Sequence, residues 1–296
     1  LEFVPNAVNL WKAAIELETV ADARIMLARA VECVPHSVEM WLALAKLESH
    51  QNARKVLNQA REAIPTEKAT WITAAKLEEA NGNSHLVGRI IEKMIASLAQ
   101  YQVITSREVW IAEAEDAERC GALATCAAIV RSTIHLDIEE EDQKRTWMDD
   151  AELCATQRGS VAPSPHTARA ILDTALAAFP TKRSLWQQAA MLEKEFGTPD
   201  SLDAKLREGV KNCPHAEVLW LMAAKEKWLS GSVPAARAIL LEAFSANPQS
   251  EQIWLAAVKL EWENEEMDRT RVLLNKARER VSSSRVWLKS ALLEIE

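Results

Sequence analysis

The sequence predicts an all-α solenoid, a stack of about eight helix-turn-helix units forming one array over residues 1–296. Three observations carry that expectation. Nine tryptophans (Trp11, Trp41, Trp71, Trp110, Trp147, Trp186, Trp220, Trp254 and Trp287) recur at intervals of 30 to 39 residues. A proline stands six residues ahead of six of them, at Pro5, Pro35, Pro65, Pro180, Pro214 and Pro248. The composition is globular, 48% hydrophobic and 26% charged, with only seven glycines and few β-branched runs, which favours helices over strands.

Read in chain order, each unit opens with a helix carrying the Trp and continues with a second helix marked by Arg and Ala. The first unit has Trp11, Leu17 and Glu18, then Arg24 and Ala30. The second and third repeat it with Ala45, Leu47 and Glu48, then Ala75, Leu77 and Glu78; Arg54 and Ala60 follow in the second, whereas the third has Gly88 in the Arg position. Trp to Arg is 13 residues in the first two units but 17 in the Trp254 unit. A difference of four residues is close to one helical turn, so the shorter helices keep their phase.

The Trp110 unit is preceded by the longer loop QYQVITSR and has Ala127 in the Arg column. An acidic run, IEEEDQ at 138–143, leads into the Trp147 helix, where carboxylates suit a helix start. RGSVAPSPH at 158–166 reads as a surface loop, because the repeat resumes on both sides, with Arg169 and Ala175 next. The Trp186 unit carries Ala190, Leu192, Glu193 and, in the Arg column, Asp203; the Trp220 unit carries Ala224, Arg237 and Ala243. The Trp254 unit brings Glu261, Arg271 and Ala277, and Trp287 and Glu294 begin a helix with no second helix after it. Incomplete units are therefore expected at both ends of a piece of a longer protein, with fraying or end-to-end pairing at the last helix.

Apolar residues at offsets 0, +1, +3, +4 and +6 from the Trp cover more than half of the first helix. One unit cannot bury such a helix, but a stack can. Alanines let paired backbones approach, and Trp fills the space between units. The Glu seven residues after the Trp points about 20° from it, toward the packed side. It is expected to meet the Arg of its own unit's second helix, since a bidentate guanidinium suits partial burial.

The net charge of −8 argues against a large phosphate-tracking surface. Five cysteines without a CxxC pair read as small buried hydrophobes rather than disulfides or a zinc site. No apolar run is long enough to span a membrane, and no P-loop, catalytic triad, metal cluster or cofactor motif appears. MDDAE at 148–152 lacks the third Asp of the magnesium motif of helical terpene synthases and falls in a repeat column. His36 and His215 follow repeat prolines and read as exposed loop residues. Two features are candidate partner surfaces. The polar stripe at offset +5 includes Lys46, Lys76, Lys225 and Lys259, and Trp228 and Trp262 both stand at offset +8 in neighbouring units. For each, ordinary solvation or packing is the competing reading.

The Trp…Glu…Ala-Arg-x-Ile…Pro pattern, seen in IWLAAVKLE and ARAILLEAF…NP, resembles the half-a-TPR (HAT) repeat, with Glu where tetratricopeptide repeats place an aromatic. That resemblance implies a right-handed superhelix whose first helices line a groove, and membership of RNA-processing assemblies. DARIMLARAVECVP, NARKVLNQAREAIPTEKATWITAAKLEEANGN and AEVLWLMAAKEKWLSGSVPAARAIL are similar to the C-terminal array of the pre-mRNA processing factor 6 family. The similarity implies a non-enzymatic nuclear scaffold bridging proteins of the spliceosomal tri-snRNP, with RNA contact indirect or secondary. Direct RNA binding along the groove and a peptide receptor in another RNA-processing complex stay open beside it.

Overall fold

A computed structural model describes residues 7–156, 162–281 and 283–295. Among them are seventeen α-helices and no strand, which agrees with the all-α helical-repeat expectation. The helices alternate between a first helix bearing the column Trp and the second helix that follows it. They are α1 (Val8–Glu16) with α2 (Val20–Cys33), α3 (Val38–Leu47) with α4 (His50–Ala63), and α5 (Lys68–Ala80) with α6 (Ser84–Gln100). Next come α7 (Arg107–Arg119) with α8 (Leu123–Thr133) and α9 (Gln143–Ala155) with α10 (Pro165–Ala178). The remaining pairs are α11 (Arg183–Phe196) with α12 (Pro199–Asn212), α13 (Glu217–Leu229) with α14 (Val233–Ala246), and α15 (Glu251–Glu263) with α16 (Met267–Arg280), before α17 (Ser284–Ile295).

The chain falls into two units, 1–171 and 172–296, so that the division lies within α10. In the first unit, each of α2 and α4 packs against the helix before it and the helix after it, and α6 continues onto α8. In the second, α12, α14 and α16 do the same between α11, α13, α15 and α17. The first helices α3, α5, α13 and α15 are likewise covered by the second helices before and after them, which explains their broad apolar stripe.

The alanine columns lie at the helix crossings. Ala30, Ala60, Ala175, Ala243 and Ala277 are fully buried, as are Ala75, Ala114 and Ala190 of the Trp-bearing helices. Seven of the column tryptophans are buried; Trp71 is half-buried and Trp287 is 51% exposed. The recurring proline has a definite partner. The indole N–H of Trp41 donates to the Pro35 carbonyl at 2.8 Å, that of Trp186 to Pro180 at 2.7 Å, that of Trp220 to Pro214 at 2.9 Å and that of Trp254 to Pro248 at 3.1 Å. A buried indole N–H needs such an acceptor. Trp71 departs from this: its N–H is unpaired, the Pro65 carbonyl accepts from Ser97 Oγ instead, and the Arg61 guanidinium stacks 4.5 Å from the Trp71 ring centre. Pro5, Gln157 and residues 158–161 of the 158–166 loop lie outside the described residues.

Turn chemistry follows helix length. After α5, α7 and α13 the chain turns through Gly82, Gly121 and Gly231 at φ 81°, 79° and 82°. The next amide reaches back to the helix in each case, Asn83 to the Glu78 carbonyl, Ala122 to Ala117 and Ser232 to Lys227, a six-to-one C-terminal cap whose left-handed position favours glycine. Gln102 after α6 and Glu265 after α15 hold that position at φ 55° and 60°. The first two units dispense with it: α1 and α3 are only 9 and 10 residues long, against 13 in α5.

The cysteine expectation needs one correction. All five are free and Cys126, Cys154 and Cys213 are buried, but Cys33 is half-buried and Cys120 exposed. Cys120 caps α7 just ahead of the Gly121 turn, where the Lys76 ammonium of α5 reaches its sulfur at 3.5 Å. Burial pushes the Cys126 thiol up to about 11.

Candidate functional site

The Glu column and the Arg column do meet, but not as the sequence suggested. Arg24 of α2 lies 3.6 Å from Glu48 at the end of α3, and Arg54 of α4 lies 3.2 Å from Glu78 of α5. Arg237 of α14 donates to both oxygens of Glu261 on α15 at 2.7 and 2.6 Å, and Arg271 of α16 lies 3.8 Å from Glu294 on α17. Every one of these pairs joins a second helix to the first helix of the following unit, which corrects the intra-unit expectation. The reason is positional. The Glu stands at the turn, opposite the beginning of its own second helix, while the Arg is the fifth residue of its helix and faces onward.

The beginning of the second helix supplies the Glu with another partner inside its own unit. Asn52 Nδ2 donates to Glu48 at 3.0 Å, Asn83 Nδ2 to Glu78 at 2.9 Å and Ser201 Oγ to Glu193 at 2.7 Å. Glu48 and Glu78, which also meet Arg24 of α2 and Arg54 of α4, each sit where three helices come together. Glu78, Glu193 and Glu261 are at most 5% exposed, and buried charges persist only when hydrogen-bonded or paired. The hydrogen bond with Glu261 raises the Arg237 pKa above the ordinary arginine value. Glu18 is exposed, and Arg169 lies 3.0 Å from His166 Nδ1.

A second set of carboxylates was not singled out from the sequence. Glu79 accepts from the Ala124 and Thr125 amides at 2.7 and 2.8 Å and from Thr125 Oγ1 at 2.7 Å. Glu118 does the same for the His166 and Thr167 amides, at 3.0 and 2.8 Å, and Thr167 Oγ1 at 2.7 Å. Both stand at offset +8 and cap the N-terminus of the second helix one unit on, α8 and α10, where free amides and the helix dipole favour an anion. The available signal was a Glu at +8 answered by a Thr at the third position of that helix, in two consecutive units.

The candidate lysines have separate fates. Lys46 and Lys225 are exposed, with no carboxylate at ion-pair distance among the described residues. Lys76 instead donates to Asp116 of α7 at 2.9 Å; burial opposes its charge, but the hydrogen bonds and charges of Asp116 and Cys120 together raise its pKa. Lys259 lies 3.6 Å from Glu263 and 5.9 Å from the Trp228 ring centre. Trp228 and Trp262 are both half-buried against their local cores, and Lys289 lies over the Trp262 ring at 5.6 Å. Each indole therefore presents one face capped by a lysine of the next unit. Other first helices are also tied in sequence: Lys68 to Glu113 at 2.9 Å, Lys194 to Glu226 at 2.6 Å, and Arg107 to the buried Asp150. Asp150 belongs to MDDAE, and this pairing accounts for it structurally. The acidic 138–142 stretch precedes α9, whose first helical residue is Gln143, and His36 and His215 are exposed. Among the described residues no three His, Cys, Asp or Glu side chains are placed to hold a metal, and no helix is long and apolar enough to cross a membrane.

No protein-family model matches the chain. A stretch of 112 residues, 38% of the chain, is 58% identical to Pre-mRNA-processing factor 6 of Homo sapiens, of which it spans 11%. Pre-mRNA-splicing factor prp1 of Schizosaccharomyces pombe is 43% identical over 135 residues, 46% of this chain and 14% of that protein. Protein STABILIZED1 of Arabidopsis thaliana is 56% identical over 68 residues, 23% and 7% of the two chains. The similarity anticipated from the repeats is thus present, over a small part of each relative's length. A tetratricopeptide repeat protein from Parabacteroides merdae aligns over 88% of this chain and 97% of its own at 14% identity, but its TM-score of 0.34 is too low to carry an argument.

Proposed function

We propose that the chain serves pre-mRNA splicing in the nucleus as a non-enzymatic scaffold, bridging protein components of the tri-snRNP as one continuous array over residues 1–296. The observation that carries this reading is the 58% identity to Pre-mRNA-processing factor 6. The side-chain chemistry supports it. The buried carboxylates are committed to joining helices, so the outer residues of each repeat are left to differ and to hold partners. Lys46, Lys225, Lys259, Trp228 and Trp262 are the proposed contact positions.

The test is a tagged pull-down of this chain from nuclear extract, before and after nuclease, with proteins and RNAs identified. Tri-snRNP proteins retained after nuclease support the scaffold. Their loss together with the RNA would replace it with direct RNA binding. Exclusive capture of some other RNA-processing complex would replace it with a receptor elsewhere.

A further inference from the structure

Two consecutive second helices and the first helix beneath them enclose a groove, and the same groove occurs in both units of the chain. In the second unit it lies between α14 and α16 over α15, holds about 520 Å³ and is walled by Leu241, Phe244 and Val272. In the first unit it lies between α4 and α6 over α5, and holds about 310 Å³. There the matching positions are Asn58, Arg61 and Arg89. One backbone frame thus offers an apolar groove in one place and a cationic groove in the other.

The cationic groove is lined by Arg54, Arg61, Arg89 and Lys93, with Glu78 as its one acidic lining residue. Arg54 is paired with Glu78. The other three have no carboxylate at ion-pair distance among the described residues. Arg61 is held by neutral oxygens, the Leu57 carbonyl at 3.3 Å and Asn58 Oδ1, and its flat face stacks on Trp71. Burial and the neighbouring Arg54 charge lower its pKa, an electrostatic tension that an incoming anion relieves. Surplus positive charge is concentrated here in a chain whose net charge is −8.

We propose that the α4–α6 groove binds an acidic peptide segment of a partner protein, with carboxylates on the cationic rim and leucine-sized side chains on the floor. The floor is apolar, where Ala74 and Leu77 of α5 meet Leu86 and Ile90 of α6. A nucleic-acid backbone has no use for such a floor, and no aromatic ring lines the groove to stack a base. A peptide with alternating acidic and apolar faces matches both surfaces, in the manner of a helix laid in a groove. This site is distinct from the contact positions proposed above and does not depend on which assembly holds the chain.

The test uses the whole chain and three fluorescein-labelled probes: a dodecamer of glutamates and leucines at helical spacing, the same peptide with serines replacing the leucines, and a single-stranded uridine dodecamer. The variants are Arg89→Glu/Lys93→Glu, whose side chains are exposed and unpaired so that folding is retained, and Arg61→Met. Binding of the first peptide, weakened about tenfold by the double reversal with an unchanged melting curve, and about tenfold by the serine substitution, is expected. Binding indifferent to the double reversal, tighter binding of the RNA than of the peptide, or no peptide binding at millimolar concentration would each overturn the proposal.

Discussion

Replacing Arg237 by Ala strands a carboxylate. The Glu261 side chain is 7% exposed and that of Arg237 28%, and Glu266 lies 3.6 Å from the same guanidinium, so the variant leaves two acidic groups facing a hole. Breaking a fully buried pair from one side costs about 3–5 kcal/mol, and the water reaching Arg237 lowers that to about 2–3 kcal/mol here. Glu261→Gln removes the charge but keeps an acceptor, at about 1 kcal/mol. The double variant then recovers part of the loss, a coupling of about 1–2 kcal/mol. Urea denaturation of the wild type, both single variants and the double variant, followed by circular dichroism, measures it. A parallel cycle with Arg271, the arginine of Glu261's own unit, is expected to be additive within about 0.5 kcal/mol. Coupling of Glu261 to Arg271 rather than to Arg237 would refute the inter-unit pairing, as would additivity in both cycles.

Three further outcomes follow from the same geometry. Glu79→Gln and Glu118→Gln, which uncap α8 and α10, should each cost about 1 kcal/mol and speed hydrogen exchange at the first-turn amides of Ala124 and Thr125, or of His166 and Thr167; unchanged exchange there would contradict the caps. Trp186→Phe, which loses the 2.7 Å bond to the Pro180 carbonyl, should lower stability by about 1–2 kcal/mol. Trp287→Phe, at a ring 51% exposed, should stay within about 0.5 kcal/mol. Above pH 9 the unfolded Cys126 thiol ionises while the folded thiol, pushed up to about 11, holds its proton. The native state then binds more protons, and stability should fall with rising pH by up to about 2–3 kcal/mol between pH 9 and 11, a slope that Cys126→Ala reduces in pH-dependent urea titrations, leaving the smaller one of the Cys213 thiol, which burial also pushes up.

The Trp, Pro and Ala columns were legible because burial imposes the same size and shape at each crossing. The six-residue Pro–Trp interval even anticipates a specific hydrogen bond, as at Pro214 and Trp220. The Glu–Arg columns were legible as residues but not as pairs. In an array, a column recurs with the same period whether it contacts its own unit or the next, so periodicity cannot distinguish Arg271 from Arg237 as the partner of Glu261. The caps at Glu79 and Glu118 escaped notice because they occur in two units rather than as a column across the array. The exposure of Cys120 follows from a turn, where hydrophobic periodicity carries no information. Likewise Lys76 and Lys259 share a sequence offset with Lys46 and Lys225, yet an Asp at 116 and a Trp at 228 give them neighbours that the offset alone does not specify.

Cross-linking mass spectrometry on the tagged chain in nuclease-treated nuclear extract tests the scaffold reading most directly, since it reads both the partner and the position. Lysine cross-links from Lys46, Lys225 and Lys259 to two or more different tri-snRNP proteins are the predicted result. Cross-links to a single protein, or none once the RNA is digested, would contradict a bridging role.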